Sequence, residues 1–344
     1  MPITTLRQLL DEATEKLNTT KVPDPRYDAR ALLMSAYQLS PAQYLLYEHD
    51  APEALIPRVL PDAEALSAAT TLFQANVDRR RRREPLQQIL GTAGFYGLDF
   101  VVTKDVLCPR ADTETLVDAV LGNLMPEQIT SICAAPSGAV PACAQRTDVE
   151  KPTVDKCPDF LSHVDNEGAS LLDVCTGSGC IAIALTKFGA FRDTTAVDIS
   201  DAALAIARRN AERLLITEAV DFTLLRSDMF SALAERTEDE QMKRYDVIVS
   251  NPPYIPSAVV DELEPEVRDY EPRIALDGTA DGLRFYRILA EESVHYLKPG
   301  GRIYLEIGYD QGERVPALLE AAGFQEVTVI RDFGGNDRVV AAHL

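Results

Sequence analysis

The feature that most constrains the fold of this chain is a regular alternation of short apolar runs and amphipathic stretches from Leu171 onward. Apolar runs occur at 171–175, 194–198, 220–225, 245–250, 302–307 and 324–330, and helical spacing occurs at 179–188, 201–215, 281–297 and 311–322. Strands that alternate with helices normally form a parallel sheet whose faces the helices cover. The alternation therefore predicts an α/β fold with a mostly parallel sheet, which a last run at 339–343 would close.

The part of the chain that precedes this alternation has a different character. Residues 1–84 carry apolar side chains at helical spacing with almost no glycine, which predicts a small all-helical domain. At 85–111, glycines are interleaved with aromatic and β-branched residues, which indicates a β-hairpin linker to the domain at 112–344. Residues 126–168 lose periodicity, so we expect a low-complexity, loosely ordered insertion there.

The charge of the chain is strongly acidic, with 34 basic and 54 acidic residues among 344. Because affinity for a phosphate backbone comes from clustered Lys and Arg, this balance argues against a broad nucleic-acid surface. The five consecutive arginines at 79–83 are the exception. They are typical of a solvated helix end, and alternatively indicate a local contact with an acidic or RNA-bound partner.

Composition also bears on the location and on metal binding. No stretch is apolar enough for a membrane span or a signal peptide, so we expect a cytoplasmic protein. The six cysteines form no Cys-x-x-Cys pair, and Cys143, Cys157 and His163 match no zinc-binding spacing. We therefore expect no metal site and no disulfides. Nothing in the sequence demands more than a monomer.

The first candidate binding motif is the turn Cys175-Thr176-Gly177-Ser178-Gly179, which follows a strand that contains Asp173. Such a turn lets the backbone approach a ligand closely and aims the N–H groups of the next helix at it. Glycine turns also bind nicotinamide cofactors. The acid ahead of this turn favours S-adenosylmethionine over a nicotinamide cofactor. The cationic amino-acid tail of S-adenosylmethionine suits a nearby carboxylate, whereas the pyrophosphate of a nicotinamide cofactor does not.

Two further motifs follow the next two strands. Asp198 stands about twenty residues after the glycine turn, where a carboxylate accepts hydrogen bonds from the ribose hydroxyls of an adenosine. Asp228 and Met229 end the third strand. An acid there could contact the edge of an adenine ring, and an apolar side chain could pack on its face. A helix start with a core methionine is the alternative for this pair. Because open α/β sheets bind ligands at the carboxyl ends of their strands, we expect these residues to share one site.

The fourth motif is Asn251-Pro252-Pro253-Tyr254, at the end of the apolar run 245–250. Proline lacks an N–H group and restricts the residue before it, so the strand must end there in a rigid turn. An Asn side chain and a backbone carbonyl are able to accept the hydrogens of a planar –NH2 group while an aromatic ring packs on its face. The motif therefore indicates a site that presents an amide or an exocyclic amine nitrogen for reaction.

Together these motifs resemble those of the peptide chain release factor glutamine methyltransferases, which methylate the glutamine of the release factors' Gly-Gly-Gln loop. The resemblance covers nearly the whole chain outside the insertion, including blocks at 85–91, 95–98, 109–114, 271–276, 298–301, 331–333 and 336–338. The Asn-Pro-Pro-Tyr motif alone is shared with adenine-N6 methyltransferases, and the block at 109–114 makes the resemblance more specific. It implies a Rossmann-like class I methyltransferase sheet with an antiparallel last strand. It also implies that the helical domain recognises the release factor.

The resemblance implies roles for individual residues as well. S-adenosylmethionine, with S-adenosylhomocysteine as its product, would contact Asp173, Cys175, Thr176, Gly177, Ser178, Gly179, Asp198, Asp228, Met229 and Asn251. The glutamine amide would contact Asn251, Pro252, Pro253, Tyr254 and Phe95, with Asn251, Pro252 and Tyr254 as the catalytic residues. Two positions depart from the family pattern: Cys175 replaces a glycine, which is tolerable if its φ is negative, and Ala111 replaces a proline.

The chemical difficulty of such a reaction is that the lone pair of an amide nitrogen is delocalised into the carbonyl. Our hypothesis is that Asn251 Oδ1 and the Pro252 carbonyl accept the two amide hydrogens while Tyr254 packs on the amide plane, which favours a twist that localises the lone pair. Two alternatives stay open. One is an adenine-N6 methyltransferase of DNA or RNA, against which the acidic charge argues. The other is a non-catalytic S-adenosylmethionine-binding partner of the termination machinery.

Overall fold

The helices and strands of the chain follow the order that its hydrophobic pattern predicts. The computed structural model describes residues 4–122, 129–131, 168–189, 191–234 and 243–344. The helices are α1 (Leu6–Asn18), α2 (Pro25–Ala36), α3 (Pro41–Tyr47), α4 (Ala63–Arg81), α5 (Leu86–Leu90), α6 (Glu114–Leu121), α7 (Cys180–Phe188), α8 (Asp201–Leu214), α9 (Ser231–Ala234), α10 (Ser257–Val260), α11 (Pro265–Arg268), α12 (Arg284–Tyr296) and α13 (Arg314–Ala321). The strands are β1 (Thr92–Phe95), β2 (Leu98–Val101), β3 (Ile129–Ser131), β4 (Ala169–Val174), β5 (Phe191–Asp198), β6 (Asp221–Arg226), β7 (Tyr245–Ser250), β8 (Leu297–Glu306), β9 (Gln325–Arg331) and β10 (Asp337–His343). Within the described ranges, no helix is both long and apolar enough to cross a membrane.

Strands β3 to β10 form one sheet in the spatial order β3-β9-β10-β8-β7-β4-β5-β6. The strands β4 to β8 run parallel, whereas β10 is antiparallel to both β8 and β9. The predicted α/β fold with a mostly parallel sheet and an antiparallel last strand is thereby confirmed. From β4, the chain continues outward to β5 and β6 on one side and then to β7 on the other. Open α/β sheets bind ligands at such a switch point.

The central strands end at nearly the same level. Val174 of β4 pairs with Val197 of β5 and with Ser250 of β7, and Asp198 of β5 pairs with Arg226 of β6. Because these strands are parallel, their carboxyl ends lie at one edge of the sheet. The residues that directly follow the strands are therefore brought together, and these are the residues of the four predicted motifs.

Apolar side chains cover both faces of the sheet. Ile248 of β7 belongs to one buried cluster, together with Leu289 of α12. Its neighbour Val249 belongs to a second cluster, together with Ile183 of α7. Consecutive residues of β7 thus enter opposite clusters, as the period of two in a strand requires. The central strand β4 is buried at every position, which explains why its sequence is a largely apolar run without alternation.

Contacts divide the chain into two units, Met1–Ala93 with Leu263–Glu271 and Gly94–Glu262 with Pro272–Leu344. This division differs from the predicted boundaries in two places. The predicted linker at 85–111 is shared between the units, and the segment 263–271 groups with the helical unit. Ion pairs explain the second difference, because Glu264 and Glu266 bind arginines of the run at 79–83.

The helical unit starts two of its helices with capping boxes. Thr5 and Gln8 form a capping box at the start of α1, and Ser40 and Gln43 form another at the start of α3. Each pair satisfies N–H groups that the first turn of a helix leaves without partners. The apolar stripes that helical spacing predicts pack behind these caps into one buried cluster.

The arginine run at 79–83 is not simply a solvated helix end. The Arg80 side chain is buried, and its guanidinium donates to Asp28 over 2.6 Å and to Glu266 over 2.9 Å. Arg83 also donates to Glu266, over 2.5 Å. Both arginines are committed to ion pairs within the helical unit. Neither the solvated helix end nor the RNA contact that the sequence suggests therefore describes Arg80.

Part of the predicted insertion has a regular place in the sheet. Strand β3 at Ile129–Ser131 pairs antiparallel with β9. Residues 129–131 are thus not the loosely ordered segment that their composition predicts, because backbone pairing with an edge strand orders them. Apart from Gly168, the rest of the predicted insertion lies outside the described residues, together with Cys143, Cys157 and His163.

Candidate functional site

A cleft of about 510 Å³ opens at the carboxyl ends of β4, β5, β6 and β7. This volume is typical of a pocket for a small organic ligand. Residues from all four predicted motifs line it, namely Cys175, Thr176, Gly177, Ser178, Asp198, Asp228, Met229, Asn251 and Pro253. The structure does not bring the other predicted site residues to the cleft wall. These are Asp173, Gly179, Pro252, Tyr254 and Phe95.

The glycine turn is tied to the neighbouring strand. The Thr176 N–H donates to the Val197 carbonyl over 3.0 Å, and the Gly177 N–H donates to Asp198 Oδ2 over 2.9 Å. Gly177 has a φ of +55°, and no atom lies within 4 Å of the position that a Cβ would take. The backbone of the turn is therefore rigid and open to close approach by a ligand.

Two residues of this motif lie behind the cleft. Asp173 is fully buried, and its Oδ2 accepts the Thr176 hydroxyl over 2.6 Å. Burial raises the pKa of Asp173 to about 7. The carboxyl group of Asp173 fixes the turn from inside, and its contact with a cationic tail stays a prediction. Gly179 lets α7 pack closely on α8, since a Cβ there would stand 3.2 Å from the Cβ of Ala207.

Cys175 adopts the backbone conformation that suits the glycine it replaces. Its φ is +64°, so the condition of a negative φ, under which the replacement of glycine would be free of strain, is not met. Met229 also has a positive φ, of +50°, and the sulfur atoms of the two side chains are 3.8 Å apart. A left-handed conformation costs a residue with a Cβ roughly 1–3 kcal/mol. Two such residues side by side in a cleft indicate a ligand-binding site, where strain of this kind is concentrated.

The Asp198 carboxylate is held by backbone donors. Its Oδ2 accepts the Gly177 N–H and its Oδ1 accepts the Ser200 N–H, each over 2.9 Å. Burial raises the pKa of Asp198, and these N–H groups oppose the rise. Each oxygen keeps a further lone pair for a ligand in the cleft. Ser200 also caps α8, because its hydroxyl accepts the Ala203 N–H over 3.2 Å.

The Asn-Pro-Pro-Tyr turn leaves the end of β7 in a partly buried position. Pro252 and Pro253 are buried, whereas Asn251 and Tyr254 are half-buried. Asn251 and Pro253 line the cleft. Tyr254 packs against the buried cluster that contains α12, and burial raises the pKa of its hydroxyl. The amide side chain thus faces the cleft, and much of the tyrosine side chain supports the turn.

A second segment packs closely against this turn. The Ile255 N–H donates to the Leu276 carbonyl over 3.0 Å, and the Gly278 N–H donates to the Ile255 carbonyl over 2.8 Å. A Cβ on Gly278 would stand 2.8 Å from the backbone of Tyr254, and one on Gly282 would overlap the Tyr254 carbonyl oxygen. Only glycine permits this approach, so backbone contacts fix the position of the turn.

Phe95 lies away from the cleft. Its side chain is 1% exposed and packs edge-on against Phe100, with 6.0 Å between the ring centroids. The ring belongs to the buried cluster that contains α7. The core encloses the ring in this conformation, and the contact between Phe95 and the substrate stays a prediction.

Glu306 is a site residue that the motifs do not reveal. It ends β8 and is 2% exposed, and the side chains of Thr113 and Asn251 lie beside its carboxyl group and favour its charged form. Burial raises the pKa of Glu306 to about 7, and the two donors oppose the rise. Its sequence signal is an acid at the carboxyl end of the apolar run 302–307, the same signal that points to Asp198.

Other residues of the cleft come from blocks that carry the family resemblance but have no predicted role. They are Pro109, Arg110 and Thr113 of the block 109–114, and Pro272, Arg273, Ile274 and Ala275 of the block 271–276. Their convergence on one cleft explains why the two blocks matter together, although they are far apart in sequence.

The fold and the cleft together define the class of an α/β enzyme of the methyltransferase type. Residues 150–271 match the family model of the ribosomal protein L11 methyltransferase (PrmA). Residues 8–91 match the model of the PrmC N-terminal domain. The two matches fall on the sheet-forming part and on the helical part of the chain, respectively.

Curated relatives specify the family. The chain is 36% identical to the release factor glutamine methyltransferase of Geobacter sulfurreducens, over 99% of this chain and 98% of that protein. It is 35% identical to the protein of the same name from Caulobacter vibrioides, over 98% and 95%. The solved protein-(glutamine-N5) methyltransferase (release factor-specific) of Alicyclobacillus acidocaldarius is 26% identical, over 71% of this chain and 98% of that one, with a TM-score of 0.35. On the identity with the curated relatives, the chain belongs to the release factor glutamine methyltransferase family.

Proposed function

We propose that this chain transfers a methyl group from S-adenosylmethionine to the side-chain amide nitrogen (N5) of the glutamine in the Gly-Gly-Gln motif of peptide chain release factors. The observation that carries the proposal is that Asn251 lines the same cleft as the glycine turn and Asp198. A cleft of this kind is able to hold an amide nitrogen beside a bound methyl donor. Membership of the release factor glutamine methyltransferase family supports the choice of substrate.

The residues of the cleft fit S-adenosylmethionine, which when bound supplies an electrophilic methyl group on a positively charged sulfur. Asp198 has lone pairs free for the ribose hydroxyls, and Asp228 and Met229, which line the same cleft, would contact the adenine. The open space beside Gly177 leaves room for the ligand against the backbone. Cys175, Thr176 and Ser178 complete the same wall of the cleft, and Asn251 would touch both ligands.

Catalysis would rest on the positioning of the substrate amide. Asn251 Oδ1 and the Pro252 carbonyl would accept the two amide hydrogens, and Pro253 and the exposed part of Tyr254 would contact the amide plane. An amide nitrogen held in this way, with its lone pair turned toward the methyl group, reacts from a near-attack geometry. Such positioning is able to supply roughly 7–11 kcal/mol of the barrier reduction.

The proposed partner is the release factor itself. Residues 1–84 would form its recognition domain, 85–111 a hairpin linker and 112–344 the catalytic domain. The net charge of −20 supports a protein substrate and argues against direct contact with nucleic acid. The cleft is built from a single chain, which is consistent with a monomer. Because release factors act on ribosomes, the reaction would take place in the cytoplasm.

A labelling experiment tests the proposal against its alternatives. The purified chain is incubated with methyl-labelled S-adenosylmethionine and with a release factor, with bulk nucleic acid or with neither. We expect label in the release factor alone, and none in a release factor whose motif glutamine is replaced by alanine. Label in nucleic acid would instead identify an adenine-N6 methyltransferase. Binding of the cofactor without any transfer would identify a non-catalytic partner.

A further inference from the structure

Glu306 is a buried acid with one oxygen unused. Within the described part of the chain, its Oε2 atom has no hydrogen-bond partner. A buried carboxyl group that is only partly satisfied costs free energy, so it calls for an explanation beyond stability. Glu306 does not line the cleft, whereas Asn251 and Thr113, whose side chains lie beside its carboxyl group, both do. Its position behind these two side chains suggests that it acts through them.

The direction of the hydrogen bonds in this group follows from the chemistry of its members. An ionised carboxylate only accepts hydrogen bonds, so the Thr113 hydroxyl must turn its hydrogen toward Glu306. The Thr113 oxygen is then an acceptor, and Asn251 Nδ2 donates to it over 3.4 Å. The Asn251 side chain also lies beside Glu306, and the charged form of that carboxyl group attracts its –NH2 group. With its –NH2 group directed to these two partners, the Asn251 amide leaves Oδ1 for a ligand.

We infer that Glu306 is a positioning residue for methyl transfer, because it fixes the Asn251 amide in the orientation that turns Oδ1 to the amide hydrogens of the substrate glutamine. The inference rests on the proposed function, since it needs a substrate –NH2 group in the cleft. If the Asn251 amide were free to turn over, its own –NH2 group would face that of the substrate. Two donors repel each other, and such an orientation would not hold the glutamine.

Charged and titratable groups face Glu306 from each element packed around it. They are Asp112 ahead of α6, Arg338 of β10, Tyr254 of the Asn-Pro-Pro-Tyr turn, Tyr286 of α12 and Cys180 of α7. The Arg338 guanidinium lies 3.0 Å from Asp332 and 3.4 Å from Asp112, so its charge is shared among carboxylates. Burial therefore prevails and raises the pKa of Glu306 to about 7. The ionised form, which orients the network most strongly, is the main form above that pH.

Three substitutions test the inference. Glu306→Gln replaces a group that only accepts with one that also donates, and Thr113→Val removes the hydroxyl while keeping the side-chain shape. Both should lower kcat on a release factor by about tenfold or more. Both should leave the dissociation constant of S-adenosylmethionine within about twofold, measured by calorimetry. Thr113→Ser restores the hydroxyl and should recover much of the activity that Thr113→Val loses.

Two further readouts separate positioning from a structural role. The kcat of the wild type should fall as the pH drops through about 7, and Glu306→Gln should lack this step because a glutamine does not titrate in this range. The double variant of Glu306→Gln with Thr113→Val should lose less than the product of the two single losses, because both break one network. Glu320→Gln, at an exposed position on α13, is the matched control and should behave as the wild type.

The outcomes distinguish the inference from the proposed function. If the wild type itself methylates no release factor, the proposed function fails. If the wild type is active and folded Glu306→Gln and Thr113→Val keep its kcat, the positioning role is refuted. The positioning role is also refuted if the variants lose activity only because they bind the cofactor more weakly. If Glu306→Gln fails to fold, the kcat values of Thr113→Val and Thr113→Ser test the positioning role in its place.

Discussion

Replacement of Arg80 with alanine should strongly destabilise the helical unit, because it removes the cation from a buried carboxylate. Arg80 and Asp28 are 4% and 6% exposed, and the bond between Nε and Oδ2 is 2.6 Å long. Glu266 would lose a second bond, of 2.9 Å. Loss of one partner from a buried ion pair costs about 3–5 kcal/mol. We expect a decrease of this size in the free energy of unfolding near neutral pH.

The size of this loss should depend on pH in a defined direction. Burial raises the pKa of Asp28 even with Arg80 in place. Without the guanidinium, the folded-state pKa rises further above the unfolded-state value, so protonation restores part of the stability. The Arg80→Ala variant should therefore be most stable below an unfolded-state pKa of about 4 and lose stability as the pH rises through the raised folded-state pKa.

The assay combines urea unfolding of the full chain with hydrogen exchange of peptides from α2 and α4. The matched control is Arg81→Ala, because Arg81 is exposed and its pair with Asp78, at 3.3 Å, is a surface pair. Arg81→Ala should change the free energy of unfolding by no more than about 0.5 kcal/mol. A double variant with Arg80→Met and Asp28→Leu should recover much of the loss, since no buried charge is left unpaired. Equal exchange protection in Arg80→Ala and Arg81→Ala would refute the reasoning.

Three further substitutions test other parts of the structure. Asp198→Ala should weaken the binding of S-adenosylmethionine by about tenfold or more, because the ribose loses its acceptor. The control Asp201→Ala changes an exposed position and should leave the affinity unchanged. Calorimetry measures both variants, and equal affinities would contradict the assignment of Asp198. Gly282→Ala should lower kcat because a Cβ there would overlap the Tyr254 carbonyl oxygen, whereas Gly94→Ala meets no atom within 4 Å and should keep it. The stability that Glu306→Gln gains over the wild type should grow as the pH rises above the unfolded-state pKa of about 4.5 and reach about 3 kcal/mol above about pH 7, because the raised folded-state pKa makes ionisation costly. Thermal unfolding at about pH 4 and about pH 8.5 measures this difference, and a variant whose pH dependence matches the wild type would speak against it.

The sheet and its helices could be predicted because their sequence signals are local. The sequence of strand β4 is a largely apolar run because every one of its positions is buried. The motifs that follow the strands could be placed in one site for the same reason, because parallel strands bring their carboxyl ends to one edge. Asp198, Gly177 and Asn251 accordingly line one cleft.

What could not be predicted depends on contacts between distant parts of the chain. The pairing of Arg80 with Glu266 spans 186 residues, and no local pattern distinguishes Arg80 from its exposed neighbour Arg81. Asp173 is an acid that suits a cofactor, but its burial depends on the neighbouring strands β5 and β7, which come later in the chain. The position of Glu306 in the site depends on Thr113, whose side chain lies beside the carboxyl group although the two residues are far apart in sequence.

Single backbone conformations are a further limit of sequence reasoning. The sequence provides only the condition that Cys175 replaces a glycine without strain if its φ is negative, and the strand-to-turn geometry imposes +64°. Phe95 illustrates the same limit for side chains. A glycine-rich aromatic stretch predicts a hairpin, but it does not say which ring enters the core and which stays outside.

The most direct test of glutamine methylation through Asn251 is mass-spectrometric mapping of the methyl group on the release factor. The wild type and Asn251→Ala are each incubated with S-adenosylmethionine and a purified release factor, and calorimetry confirms that both bind the cofactor. We predict one added methyl group on the glutamine of the Gly-Gly-Gln motif with the wild type, and none with Asn251→Ala. A methyl group on another residue, or equal methylation by the two proteins, would contradict the proposed chemistry.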